Sequence, residues 1–252
     1  MTFKNDKRVV WITGAGKGIG RALAKRMANE GWVVAVSART EQDLASLKSE
    51  CPIESIYCFP LDVTDPVATS SVVLKIVNEV GVINLVILNA GNHIPMSVKT
   101  FSSKTVQTLI DTNFMGVVFG LEQVIPMFLK HKCGHIAVVA SLAGYRGLPT
   151  SSAYGASKAA LINMCESLKP ELDLLGVKLT LINPGFVETP LTDKNEFPMP
   201  FLIPVEEAVD IIIKGLKKPN FEISFPRSFS LIMKVLSLLP AKFYFALTKR
   251  LI

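Results

Sequence analysis

Four cysteines in 252 residues (Cys51, Cys58, Cys133 and Cys165) are too scattered for a C-x-x-C pair or a zinc-like spacing. That excludes a disulfide-stapled scaffold and fits a reduced, cytosol-facing chain. Histidine is scarcer still. His93, His131 and His135 have no metal-like spacing, and solvated or helix-capping roles are expected of them. The acidic residues are dispersed without paired carboxylates, so no metal is expected. The cations form no stripe with interleaved aromatics, so no nucleic-acid partner is expected. There is no internal repeat, low-complexity tract or linker, so residues 1–252 read as a single domain. The opening "MTFKNDKRVV" is charged and runs straight into a strand-like segment, unlike a secretory leader.

At 49% hydrophobic and 19% charged, the chain can bury a large core. Short β-branched runs recur: "RVVWIT", "WVVAVSA", "IYCF", "NLVIL", "HIAVVA" and "KLTLIN". They are continuous rather than alternating, as in strands buried on both faces. Between them lie segments of helical period, among them "RALAKRMANE", "DPVATSSVVLKIVNEV" and "SKTVQTLIDTNFMGVVFGLEQVIPMFLK". Strand–helix alternation predicts an α/β fold, a Rossmann-type doubly wound parallel sheet with helices on both faces.

The turn "TGAGKGIG" follows the first strand and opens the first helix. A helix N-terminus there offers free N–H groups and the positive dipole end to an anion. The strict G-x-G-x-x-G pattern fails at Ile19, and the phosphate-loop pattern fails because Gly18 follows Lys17. What remains, T-G-x-x-x-G-x-G, points to a dinucleotide whose pyrophosphate needs bare backbone. The second strand ends "VSART", with Ala38 and Arg39 where an acidic residue would select NAD. Lys17 adds a second cation. A charge-assisted contact to phosphate is worth roughly 1.5–3 kcal/mol, so NADP(H) is the expected cofactor.

In "YGASK", Tyr154 and Lys158 stand at i and i+4 on a predicted helix, hence on one face. An ammonium about 4 Å from a phenol favours phenolate by about 4 kcal/mol at an effective dielectric near 20. A tyrosine pKa pulled from about 10 toward roughly 7 is the expectation.

Taken together, these residues resemble the short-chain dehydrogenase/reductase family from about residue 8 to about 190. The family's glycine turn matches Thr13, Gly14, Gly18 and Gly20. Its acidic residue after the third strand matches Asp62, followed by Val63. Its N-N-A-G element matches Asn89, Ala90 and Gly91, with Leu88 in place of the first Asn. Its catalytic Asn matches Asn113, its catalytic Ser matches Ser141, and Tyr154 and Lys158 complete the tetrad. Its Pro-Gly after the sixth strand matches Pro184 and Gly185, and Thr189 follows. The cofactor cradle implied by the resemblance takes in Thr13, Gly14, Gly16, Lys17, Gly18, Ile19, Gly20, Arg39, Asp62, Val63, Asn89, Ala90, Gly91, Tyr154, Lys158, Pro184, Gly185, Val187 and Thr189.

The resemblance also implies a division of labour. Tyr154 passes the proton to or from the substrate oxygen. Lys158 tunes it and holds the nicotinamide ribose. Ser141 hydrogen-bonds the developing charge, and Asn113 holds a water for proton return. The expected function is an NADPH-dependent oxidoreductase reducing a carbonyl, or reversibly oxidising a secondary alcohol, on a hydrophobic small molecule. The alternatives are an NAD-dependent alcohol dehydrogenase and a non-catalytic cofactor-binding sensor.

Two regions depart from the family pattern. An apolar lid is expected over about 188–204 ("ETPLTDKNEFPMPFLIP"), carrying Phe197, Met199, Phe201, Leu202 and Ile203. Leu142, Tyr145, His93 and Met96 are expected in the same cleft, while Arg146 and Lys194 have no assigned partner. Past "FEISFP", the tail over about 227–252 is apolar with interspersed Arg227, Lys234, Lys242, Lys249 and Arg250. It has no uncharged run near the ~20 residues that span a bilayer. Split by Pro240, it reads as two short amphipathic helices packed on the body or on a dimer partner. Peripheral membrane contact is the alternative. The missing family C-terminus makes a homodimer the expected assembly. A cytoplasmic location, or the surface of a membrane, goes with these readings.

Overall fold

The computed structural model describes residues 7–194 and 199–251. Phe197 and the side chain of Lys194 lie outside the described residues. The chain alternates β1 (Val9–Thr13), α1 (Gly18–Asn29), β2 (Val33–Ser37), α2 (Glu41–Ser49), β3 (Ile56–Cys58), α3 (Pro66–Glu79) and β4 (Ile83–Leu88). It continues through α4 (Ser103–Ile110), α5 (Gly116–His131), β5 (His135–Val139), α6 (Ser152–Leu174), β6 (Lys178–Pro184), α7 (Val205–Leu216) and β7 (Glu222–Phe225). Two short helices, α8 (Arg227–Leu238) and α9 (Ala241–Thr248), follow, on either side of the Leu239–Pro240 junction.

The strands form one parallel sheet in the order β3-β2-β1-β4-β5-β6-β7. Alternate residues of each strand enter opposite layers, as the pleat requires. Val10, Ile12, Val34 and Val36 pack with α1, α2 and α7, while Val9, Trp11, Ala35 and Val86 pack with α3, α5 and α6. Both faces are covered, which explains why the strands read as unbroken apolar runs. Trp11 is fully buried and donates its indole N–H to Ser37 Oγ at 3.0 Å, so its polar atom is satisfied.

The strand order reverses between β1 and β4. A crevice opens there at the carboxyl ends of the strands, the usual ligand position in such sheets. Between α4 and α5, residues Asp111–Met115 form a π turn. The extra residue in that turn re-aims Asn113 into the interior, where it is completely buried. The composite helix Ser103–His131 is long and apolar enough to cross a membrane by length and composition. It packs here against α3 and α6 as a core helix.

Candidate active site

At the carboxyl end of β1, the glycine turn and the Asn89–Gly91 segment lock together. Thr13 Oγ1 accepts the N–H groups of Asn89 and Ala90 at 3.0 and 3.1 Å. Asn89 Nδ2 donates to the carbonyls of Thr13 and Gly14 at 3.0 and 3.2 Å. Gly14 takes the left-handed φ of +66°, and a Cβ there would lie 2.7 Å from Ala90 Cα. A Cβ on Gly20 would lie 2.4 Å from the Gly14 carbonyl oxygen. Two of the four glycines are thus demanded by the protein's own packing, before any ligand is considered.

The turn also fits a phosphate. Lys17, at the N-cap of α1, makes no side-chain cap, and the first turn of the helix holds no acidic residue. Its leading N–H groups are free of side-chain capping, so this end of α1 suits a dinucleotide pyrophosphate. Thr189, far along the chain, closes over the turn. A Cβ on Gly18 would sit 3.2 Å from its Cγ2. Ile19 packs against the core layer of α1.

Arg39 stands exposed just after β2, and among the described residues it has no ion-pair partner. Lys17 is not so placed. Its Nζ lies 3.6 Å from Asp43 Oδ2, with the lysine 65% and the aspartate 28% exposed. Asp43 sits in the first turn of α2 and borders Gly16, whose absent Cβ would be 3.2 Å from Asp43 Cβ. Arg21 holds this corner by donating to the Asp43 carbonyl at 2.9 Å and to Glu50 at 2.6 Å. Asp43 has no signal in the sequence; only the fold brings it to the turn. Asp62 is exposed and uses one oxygen to accept the N–H and hydroxyl of Thr64, at 3.0 and 2.8 Å. Val63 is buried against Gly116.

Asn113, Ser141, Tyr154 and Lys158 come from the π turn, the end of β5 and the first turns of α6. Asn113 is clamped on three sides. Its Nδ2 donates to the Asn92 carbonyl at 2.9 Å and to Ser157 Oγ at 3.0 Å, and its Oδ1 accepts the Asn92 N–H at 2.7 Å. Ser157 Oγ passes its own proton to the Tyr154 carbonyl at 2.7 Å, which fixes the turn that carries the phenol. A buried amide left unpaired costs about 1–3 kcal/mol, so this clamp is strongly specified. Asn92 is a part of the site that carries no family-like motif.

Ser141 Oγ donates to the Pro184 carbonyl at 3.4 Å and accepts the Ala143 N–H at 3.1 Å. Gly185 donates to the Phe225 carbonyl at 2.7 Å, and Val187 bridges to Ile203. Lys158 is buried, donates to the Val139 carbonyl at 2.9 Å and lies 5.8 Å from the Tyr154 ring centroid. The expected lowering of the Tyr154 pKa is not what this arrangement produces. Burial pushes the phenol above its ordinary value, and the hydrogen bond with Ser141 only partly offsets it. Burial also lowers Lys158, to about 8. The physical reason is desolvation, which disfavours the charged form of each group, while the ammonium is engaged by a carbonyl.

The surrounding side chains sort differently from expectation. His93 is neither solvated nor capping. It is buried, and its ring meets that of Tyr154 edge-on at 4.8 Å. Met96 belongs to the small cluster of Leu109 and Ala153 that Tyr154 packs against. His135 is also no solvated group. Its Nε2 pairs with Thr180 Oγ1 at 2.9 Å, and burial drives its pKa down to about 3. Leu142 is buried.

Tyr145 faces away from the cleft. Its hydroxyl bonds Glu222, and it lines a cavity of about 380 Å³ with Glu166 and Lys234. Burial raises the Glu222 carboxyl, but hydrogen bonds from Lys234, Tyr145 and Asn183 outweigh it and leave the group below its ordinary value. Arg146 acquires its partners here. It donates to the carbonyls of Leu236, Ser237 and Leu239 at 2.6, 3.1 and 2.6 Å, and its guanidinium stacks 3.9 Å from the Tyr244 ring centroid. The cation therefore caps α8 and is not a substrate anchor. Cys51, Cys58 and Cys165 all have thiols pushed up by burial, so none of these three is a poised nucleophile.

Comparison with known proteins places this geometry. Residues 8–198 match the family described as short chain dehydrogenase. An uncharacterized oxidoreductase of Myxococcus xanthus is 37% identical over 246 residues, covering 97% of each chain. Among solved structures, a short chain dehydrogenase/reductase from Burkholderia phymatum in complex with NAD aligns with a TM-score of 0.84 at 23% identity, over 92% of this chain and 94% of that one. ElxO with NADP bound aligns with a TM-score of 0.77 at 26% identity, over 86% of this chain and 97% of its own.

Proposed function

The chain belongs to the short-chain dehydrogenase family of oxidoreductases, and from that premise we propose that it is an NADPH-dependent reductase of a carbonyl on a hydrophobic, lipid-like small molecule. The observation that carries the reading is the convergence of Ser141, Tyr154 and Lys158 beside a glycine turn flanked by two cations, Lys17 and Arg39.

Bound NADPH supplies the hydride. The start of α1 would hold its pyrophosphate, and Lys17 and Arg39 would hold the 2′-phosphate. Thr13, Asn89, Ala90 and Gly91 keep the turn and the end of β4 in register for it. Asp62 and Val63 would border the adenine, and Pro184, Gly185, Val187 and Thr189 would border the nicotinamide. Ser141 donates to the carbonyl oxygen as charge builds there. Tyr154 transfers its phenolic proton to that oxygen and regains one from solvent, while Lys158, whose ammonium donates to the Val139 carbonyl, would hold the nicotinamide ribose. Asn113 fixes Asn92 and Ser157, and through Ser157 the Tyr154 turn. Positioning within a fixed frame supplies much of the rate.

The apolar substrate follows from the surroundings. His93 and Met96 border Tyr154, and Phe186, Phe229 and Phe201 form a stack at the lid, with ring centroids 5.6 and 5.7 Å apart. Arg146, which follows Ser141 and Leu142 in sequence, is committed to α8. The test is a fluorescence titration with NADPH and NADH, followed by a turnover screen. Tighter NADPH binding and turnover of apolar ketones or aldehydes support the reading. A preference for NADH, or turnover of sugars alone, refutes it.

A further inference from the structure

We propose that α8 and α9 dock the protein onto an anionic lipid surface. The two helices are held on the body by their inner faces. Ser230 and Met233 of α8 are buried, Arg146 caps its last carbonyls, and Tyr244 of α9 is buried with its hydroxyl donating to the Gly147 carbonyl at 2.5 Å. Their outer faces are apolar. Leu231, Val235 and Leu238 stand at i, i+4 and i+7 on α8, with Ile232 beside them. Leu231 is 64% and Leu238 is 84% exposed, and on α9 Phe243 is 61% exposed, with Phe245 and Leu247 also open. An apolar face of this extent, on helices fixed in place, marks an interaction surface.

Charge identifies the occupant. The tail holds Arg227, Lys234, Lys242, Lys249 and Arg250 and no acidic residue, while in the rest of the chain cations and acids nearly balance. Nearly all of the net +6 therefore sits beside the apolar stripe. Lys234 pairs with Glu222 at 2.5 Å, whereas Arg227, Lys242, Lys249 and Arg250 have no ion-pair partner among the described residues. A second copy docked on this face through a two-fold axis would bring like charges together. An anionic bilayer complements both features, with apolar side chains inserted and lysines at the headgroups.

The lid lies at the same place. Phe229, in the first turn of α8, stacks on Phe201 of the lid, and Phe201 and Leu202 are themselves exposed. Docking through α8 would set the mouth of the cleft against the lipid. The docking itself does not depend on the reaction proposed above.

The experiment is co-sedimentation of the purified full-length protein with vesicles of phosphatidylcholine alone or mixed with phosphatidylserine. Binding is expected to the anionic vesicles and to weaken with salt. Leu231→Glu/Val235→Glu is expected to abolish it, with thermal melting and NADPH fluorescence unchanged. Lys242→Gln/Arg250→Gln, which touches no buried side chain, is expected to weaken it about 25-fold, at about fivefold per cation. Equal binding to neutral vesicles overturns the proposal, as does no vesicle binding. A dimer in sedimentation velocity that Leu231→Glu/Val235→Glu dissociates, without lipid binding, assigns the face to a second copy instead.

Discussion

Asp43 stands where a 2′-phosphate and Lys17 would meet, which makes Asp43→Asn an informative change. In the structure the Lys17 ammonium is 3.6 Å from the Asp43 carboxylate, and both are partly open to water. At a water-like dielectric that pair is worth about 1 kcal/mol, and exposed pairs net roughly 0–1 kcal/mol. A phosphate arriving at Lys17 competes with this carboxylate and is repelled by it. Asn keeps the size of the side chain and the backbone carbonyl that Arg21 holds, but removes the charge. NADPH affinity should therefore rise about fivefold, the equivalent of about 1 kcal/mol. NADH, without the phosphate, should bind as before. Loss of a carboxylate from the first turn of α2 costs at most about 1 kcal/mol of helix stability, which thermal melting would register separately. The assay is reduced-nicotinamide fluorescence at fixed ionic strength. An unchanged NADPH-to-NADH affinity ratio would refute the placement of the 2′-phosphate at Lys17.

Further outcomes follow from the same geometry. Tyr154→Phe should lower turnover by at least about 10²–10⁴-fold while NADPH fluorescence titrations stay normal; near-normal rates would remove Tyr154 as proton donor. Gly20→Ala should destabilise the fold by roughly 1–3 kcal/mol in a denaturant melt, because its Cβ would press on the Gly14 carbonyl oxygen. Arg146→Ala should free the tail, so that limited proteolysis cuts within 227–248 while the sheet survives; selective loss of turnover with the tail still protected would make Arg146 a substrate ligand instead. The Glu222 carboxyl titrates below its ordinary value, so its share of tail docking is intact above that value and is lost only as pH falls through the depressed one. Pepsin should therefore cut the tail faster only at pH below the ordinary carboxylate range, and equal cutting above it would refute the role of Glu222.

The sheet was readable because its strands are buried on both faces, and "VVWIT" or "INLVIL" has no other comfortable home. The two tail helices were equally plain, since Pro240 divides them and their apolar residues keep a helical period. α2 carried little signal, for only Leu44 and Leu47 of its nine residues reach the core. The motif residues of the site were legible because each lies in a local pattern at a strand end. Their partners were not. Asp43 reaches Lys17, and Asn92 reaches Asn113, across distances that only the fold closes. The π turn that aims Asn113 inward breaks no helical period in the sequence. Tyr145 and Tyr154 look alike as cleft candidates, yet β6 and β7 draw Tyr145 to Asn183 and Glu222, and the tail's Lys234 joins them there.

The least legible property was the balance between Tyr154 and Lys158. Spacing alone suggests an ammonium that pulls the phenol acidic. In the folded protein both groups are desolvated, and each shift favours the neutral form. The phenol keeps its proton well above neutrality, so at pH 7 it is loaded to donate. Carbonyl reduction requires that form, whereas alcohol oxidation requires phenolate. Phenolate here needs a nearby positive charge, and the Lys158 ammonium is turned to the Val139 carbonyl. Ser141 already eases the phenol toward ionisation through its hydrogen bond. The burial that fixes the geometry also keeps the phenol protonated, the form that can donate to a carbonyl oxygen. The Lys158 ammonium donates to the Val139 carbonyl and lies 5.8 Å from the phenol ring centroid, so the i, i+4 spacing alone overstates its pull on the phenol.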